Sequence, residues 1–351
     1  MIDMHVHFRD GFQSEKETIK HGFFVAFKCG ILSCFDMPNT IPPLTDRKEI
    51  LARLEYGEAI AKELDKNLTY RVYAGITNDE KQIKDVVQVY NEFFPRMVGF
   101  KMFAGHSTGN MGILEKDMQR TVYKTLTNCG YKGVIAVHCE KTQFMQEELF
   151  DIANPETHSL SRPPIAEIES IKDQIDLVKE TGFKGHLHIC HISTKEGVAL
   201  VKKAKKEGMN ISSGATAHHA LLNTEAYKKQ GLFVKMNPPL RAEEDRKAIF
   251  DSLILGDIDW IESDHAPHTI KDKEKGASGV PGFAGTLLLI KALRKAGVSE
   301  EKLNILCGGS VNKVFGFALP INVPSSEKID EVLAEVRKAY PFDAFADITR
   351  H

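Results

Sequence analysis

From Ile2 to Arg9 the chain alternates apolar and polar residues, Ile2, Met4, Val6 and Phe8 against Asp3, His5, His7 and Arg9. A period of two is that of a β-strand, whose successive side chains point to opposite faces. The pattern predicts a strand with its apolar face packed outward against helices and its acid, two imidazoles and guanidinium turned inward. Downstream the period lengthens. An amphipathic stretch opens at Ser14, where Ser14-Glu15-Lys16-Glu17 has the form of a capping box, and closes near Cys29-Gly30. Strand-like runs follow at 31–36, 68–76, 97–103, 133–139, 185–192, 210–215 and 260–264. Helical patterns lie at 46–66, 80–93, 115–128, 165–181, 194–207 and 283–296, and 140–164 reads as loop and irregular helix.

Eight strands thus alternate with helices, and no hairpin turn joins any two of them. Such alternation implies parallel strands with helical crossovers, and eight units predict an α/β fold of the (β/α)₈ TIM-barrel type. No Gly-x-Gly-x-x-Gly follows the first strand, which removes the dinucleotide-binding alternative. Residues 1–315 are expected to form the barrel and 316–351 a C-terminal extension packed on it.

With 351 residues, 42% of them hydrophobic, the chain can bury a large core as one unit. A net charge of −2, with lysines and acids interspersed, argues against a nucleic-acid binder or a polybasic membrane protein. No apolar run has the length of a membrane span and no signal-peptide pattern opens the chain, so a cytoplasmic protein is expected. The six cysteines form no Cys-x-x-Cys pair and read as small hydrophobes.

The histidines carry more. In a barrel, reactive groups come from the C-terminal ends of strands and the loops beyond them. The polar residues at those ends are His5, His7 and Arg9, Asn39, Lys101, His138, His191, and Asp264 with His268. In the run Gly185-His186-Leu187-His188-Ile189-Cys190-His191, His186 and His188 share a face while His191 has the opposite parity, and His218-His219 reads as a loop or barrel-top pair. Four imidazoles, a carboxylate and a lysine suit a divalent cation, Zn²⁺ above all, with room for two. A lysine ammonium is a poor ligand, but its neutral amine can add CO₂ and become a bidentate carbamate. Two cations sharing a hydroxide would then leave Asp264 as general base and acid.

Several motifs together are similar to those of the amidohydrolase superfamily, and within it resemble the dihydroorotases of pyrimidine biosynthesis. They are Asp3-Met4-His5-Val6-His7-Phe8-Arg9-Asp10-Gly11, Lys101-Met102-Phe103, Val137-His138-Cys139-Glu140, His188 to Thr194, Asn237-Pro238-Pro239-Leu240-Arg241 and Ser263 to His268. The resemblance implies a metal-dependent barrel that interconverts N-carbamoyl-L-aspartate and L-dihydroorotate by hydroxide attack on a ring amide. It implies that His5 and His7 hold one Zn²⁺, His138 and His191 a second, carboxylated Lys101 both, and that Asp264 ligates the first and shuttles the proton. Arg9, Asn39, Asn237 and His268 are expected to bind substrate, with backbone at Pro281 and Gly282, and Thr108 from a lid at 104–110.

Dihydropyrimidinases (hydantoinases) and allantoinases share the metal centre but act on rings without the carboxylate that Arg9 can grip bidentately. A non-catalytic homologue beside aspartate transcarbamoylase is the alternative of another class; retention of every ligand speaks against it, and a homo-oligomer is the other partner expectation. Two features depart from the family pattern. Most relatives have tens of residues before the first strand, pairing in a small β-sandwich that is expected here to be absent or vestigial. Some bacterial members carry aspartate where Lys101 stands, so lysine favours the two-metal form.

Overall fold

All eight strand-like runs form strands, each paired in parallel with its sequence neighbours: β1 (Ile2–Val6), β2 (Ser33–Asp36), β3 (Thr69–Gly75), β4 (Met97–Ala104), β5 (Val134–Cys139), β6 (His186–Ile189), β7 (Ile211–Ala215) and β8 (Trp260–Ile261). The ring closes where the chain beyond β8 meets β1, through a parallel bridge between Val6 and His265 and a 2.7 Å bond from His7 N to His265 O. The fold is a (β/α)₈ barrel. The structure, a computed structural model, describes residues 1–106 and 111–348. The expected contact from Thr108, and the far end of the 104–110 loop, lie outside the described residues. No helix among them is long and apolar enough to cross a membrane.

Helices α1 (Ile19–Lys28), α2 (Arg47–Leu64), α3 (Glu80–Phe93), α4 (Lys116–Asn128), α5 (Pro164–Thr181), α6 (Lys195–Lys206) and α7 (Glu243–Leu255) cross over between successive strands, and α8 (Phe283–Lys295) follows β8. Four of the starts are capped by local side chains, among them α2, where Asp46 accepts from Glu49 N, and α6, where Thr194 accepts from Gly197 N. Helix α3 buries Ile83, Val86 and Val87, one stripe at helical spacing. Helix α1 starts later than its pattern predicts. Thr18 caps it by accepting from His21 N, while Glu17 is buried and accepts from His265 and Tyr340. Helix α7 had no clear sequence signal, because it buries only Ile249, Ser252 and Leu253 and so lacks a full apolar stripe.

The apolar residues fall into two layers. One lies between strands and helices; the other fills the barrel with Ile2, Met4, Phe35, Tyr73, Val98 and Trp260, adjoined by Val311 and Phe315. The strict alternation read along β1 fails here, since Ile2 and Met4 belong to the inner layer and Val6 and Phe8 to the outer. A bulge between Asp3 and Val6 shifts the register and reverses the parity. Asp3 therefore does not join the imidazoles; it accepts from the backbone N–H groups of His5 and Ser263. A ninth long helix, α9 (Ser326–Lys338), packs on α8 and α1.

Candidate active site

The C-terminal ends of the strands open into one cavity of about 460 Å³, lined by His5, His7, Arg9, Asn39, Lys101, His138, His191, Asn237, Asp264 and His268, among others. Its floor is a row of four imidazoles. Ring centroids lie 5.1 Å apart for His7–His5, 5.2 Å for His5–His191 and 4.9 Å for His191–His138.

On one side, His5 Nε2 and His7 Nε2 lie 3.2 Å from each other and 3.2 and 2.9 Å from Asp264 Oδ1. Ligand atoms of these three buried residues fall within 4.8 Å of one another. On the other side, His138 Nδ1 faces His191 Nε2 at 3.1 Å. Three of the four rings are oriented from behind: His5 Nδ1–H donates to Glu262 at 3.3 Å, His7 Nδ1–H to Asn39 at 2.7 Å and His138 Nε2–H to Glu140 at 2.9 Å. An imidazole that donates from one nitrogen keeps a lone pair on the other. The inward nitrogens are therefore available as ligand atoms, and inward lone pairs from several rings beside a carboxylate suit a borderline divalent cation.

Electrostatics agree. Burial lowers His5 to about 4, Lys101 adding to the effect against Asp264 and Glu262, and lowers His138 and His191 as well. Neutral imidazoles are the ligating form. Burial would raise Asp264, but positive charge at His5 and His7, whether a proton or a cation in its place, holds it below the ordinary carboxylate range. Lys101 is fully buried; its Nζ donates to Cys190 Sγ at 3.0 Å and forms no ion pair among the described residues. A bare ammonium in that position is costly.

The polar wall is set by Arg9 and the segment after β8. Arg9 Nε donates to Pro267 O at 3.3 Å, and its Nη2 lies 3.5 Å from His268 Nε2. Arg9 is buried yet forms no ion pair among the described residues. His268 donates from Nε2 to Ser278 O at 3.0 Å, and Asn237 Oδ1 accepts from His158 Nε2 and Ser278 Oγ. Pro281 and Gly282 do not line the cavity: Ala277, Ser278 and Gly279 do, and the Gly282 N–H donates to His265 Nδ1.

Two ligand candidates have strained backbones. His191 (φ 34°) and Asp264 (φ 46°) are two of the three non-glycine residues with positive φ among the described residues. Strand β6 stops at Ile189, so the turn at His191 swings that ring to the site and makes strand parity irrelevant. His188 stays inside the barrel and bonds Glu262. His219 is held by Thr216 and Pro238, and His218 is buried with no partner for either nitrogen among the described residues. Sequence reasoning missed Glu262 and Arg162. Glu262 lies two positions before Asp264, and the buried Arg162 pairs with Glu140 and lines the cavity.

The sequence and the fold have counterparts among known proteins. A family model described as dihydro-orotase-like matches residues 1–197. A dihydroorotase of Methanosarcina mazei is 32% identical over 333 residues, covering 91% of this chain and 70% of the relative. One of Pyrococcus furiosus is 35% identical over 323 residues, covering 90% and 66%. The chain thus spans about two thirds of the length of these relatives. Among solved structures, the L-hydantoinase (dihydropyrimidinase) of Arthrobacter aurescens superposes with a TM-score of 0.77 at 24% identity, over 90% of this chain and 70% of that one.

Proposed function

The chain belongs to the dihydro-orotase-like family, and from that membership we propose that it is a metal-dependent cyclic amide hydrolase interconverting N-carbamoyl-L-aspartate and L-dihydroorotate. The observation that carries the choice of substrate is Arg9, a buried guanidinium without an ion pair among the described residues, in the same cavity as the imidazole row. A carboxylate is the anion it fits bidentately.

His5, His7 and Asp264 would hold one Zn²⁺, His138 and His191 a second, and Lys101, carboxylated, both. Such ions supply Lewis acidity, lowering the pKa of water and polarising a carbonyl oxygen. The protein residues do the rest. Arg9 receives the substrate carboxylate, with His268 lining the same end of the cavity and the Asn39 side-chain N–H₂ as a further donor, since Asn39 Oδ1 is already taken by His7. Asn237 and the backbone at Ser278 and Gly279 set the edge against which the ring lies. The Asp264 carboxylate, 3.2 Å from His5 Nε2 and 2.9 Å from His7 Nε2, takes the proton of the attacking water and returns it to the leaving ring nitrogen. In the synthetic direction the same carboxylate removes the carbamoyl N–H proton.

Hydrolysis of L-dihydroorotate and of hydantoin by the metal-loaded chain tests the reading. Dihydroorotate is the expected substrate, and Arg9→Ala should raise its KM about 10–100-fold, the worth of a lost charge-assisted pair, while sparing hydantoin. Faster wild-type hydrolysis of hydantoin would overturn the assignment.

A further inference from the structure

Beneath the imidazole row, one carboxylate touches both of its halves. Glu262 Oε1 accepts from His5 Nδ1 at 3.3 Å and from the backbone N–H of His191; Oε2 accepts from His188 Nε2 at 3.0 Å and Trp260 Nε1 at 3.1 Å. An indole N–H and a backbone N–H can only donate, so each oxygen is committed to accepting. His5 must then donate from Nδ1, which leaves its Nε2 lone pair toward His7 and Asp264. The chain of bonds continues away from the cavity: His188 Nδ1 accepts from Ser212 Oγ at 3.0 Å, and Ser212 Oγ accepts from His186 Nε2 at 2.8 Å. The tautomers along it follow from the carboxylate.

A stabilising role for the barrel does not account for Glu262. The surrounding inner layer is apolar, and a buried charge there is commonly no better than a hydrophobic residue of the same volume. The space for it is also specific: a Cβ at Gly214, on β7, would overlap the Glu262 carboxylate. On the reading that the imidazoles hold cations, we propose that Glu262 is the positioning residue of the centre. Oε1 sets the tautomer of His5 in one half and anchors the left-handed turn that presents His191 in the other.

Metal binding tests this without recourse to substrate. The full-length chain is stripped of metal, and Zn²⁺ affinity is measured by competition with a chelator at a temperature where circular dichroism shows wild type and variants folded. Cobalt(II) replaces zinc for a ligand-field spectrum. Glu262→Gln places an N–H₂ group against donors in either rotamer, and should lower Zn²⁺ affinity about 10–100-fold and shift the cobalt bands. Gly214→Ala retains the charge and all its donors but displaces the carboxylate, and should act in the same direction; it carries the test alone if Glu262→Gln does not fold. A role confined to stability would lower Tm and leave the folded-state affinity and the cobalt bands unchanged, and that result in either folded variant overturns the proposal. Wild type that binds zinc but does not turn over dihydroorotate would refute the substrate reading and leave this inference standing; wild type that binds no divalent cation would refute both.

Discussion

On the β1–β8 side of the cavity, His5 and His7 converge on a carboxylate of their own, Asp264. On the β5–β6 side, His138 and His191 face each other, and the nearby carboxylate of Glu140 is engaged with the outward nitrogen of His138 and with Arg162. The first half is a candidate three-ligand set. The second lacks an anionic ligand among the described residues, and on the proposed reading carboxylated Lys101 would supply that charge. The proposed centre is therefore asymmetric: one half has its carboxylate in the sequence, and the other would need one made on Lys101, whose buried ammonium has no ion pair among the described residues.

That asymmetry can be tested in order of expected effect. Asp264→Ala removes the proton carrier and should cut turnover roughly 10²–10⁴-fold while much of the metal stays, measured as kcat beside metal content; a largely active variant would remove Asp264 from the chemistry. Lys101→Ala should lower metal content from about two ions per chain to about one, emptying the β5–β6 half first, with turnover down at least ~100-fold. Equal loss from both halves would show that they are not independent. Glu140→Gln should weaken only the β5–β6 half, by about 10–100-fold in metal affinity, since it loosens the His138 tautomer and leaves Arg162 unpaired.

The smallest effect is on stability. Burial lowers His158, His186 and His268 to about 3, with Lys235, His188 and Arg9 respectively adding to it. Between that value and 6.5, the unfolded chain binds protons that the folded chain refuses, so stability falls as pH drops through the window. Asp3, raised by burial to about 7, acts with the opposite sign, but it is one group against three. The metal-free protein should therefore lose several degrees of Tm as pH falls from 6.5 toward 4; a flat or inverted profile would show that these imidazoles are not buried neutral.

Much of this was legible in the sequence, for reasons that also mark where legibility ends. Buried parallel strands and helices with a full apolar stripe announce themselves locally, which is why α3 was read with its observed bounds, Glu80–Phe93. Helix α7, with a thin buried face, did not. The Ser14 capping pattern misled because Glu17 is drawn into a contact with His265 and Tyr340, far away in sequence. Strand parity could only separate His191 from His186 and His188, because parity ends where the strand does and a left-handed turn follows. Glu262 stayed invisible because its partners come from β1, β6, β8 and the turn after β6. Pro281 and Gly282 were natural candidates in a glycine-rich loop, yet only its earlier residues reach the cavity.

The chain contains a single tryptophan, and it is Trp260. It is shielded from solvent, stacked on His188 with ring centroids 4.4 Å apart, and bonded to the carboxylate that orients His5. Its fluorescence is therefore an optical gauge already wired to the floor of the active site. Emission should be blue-shifted in the native protein, and its intensity should follow the loading of the centre in real time, without a label and without a substrate.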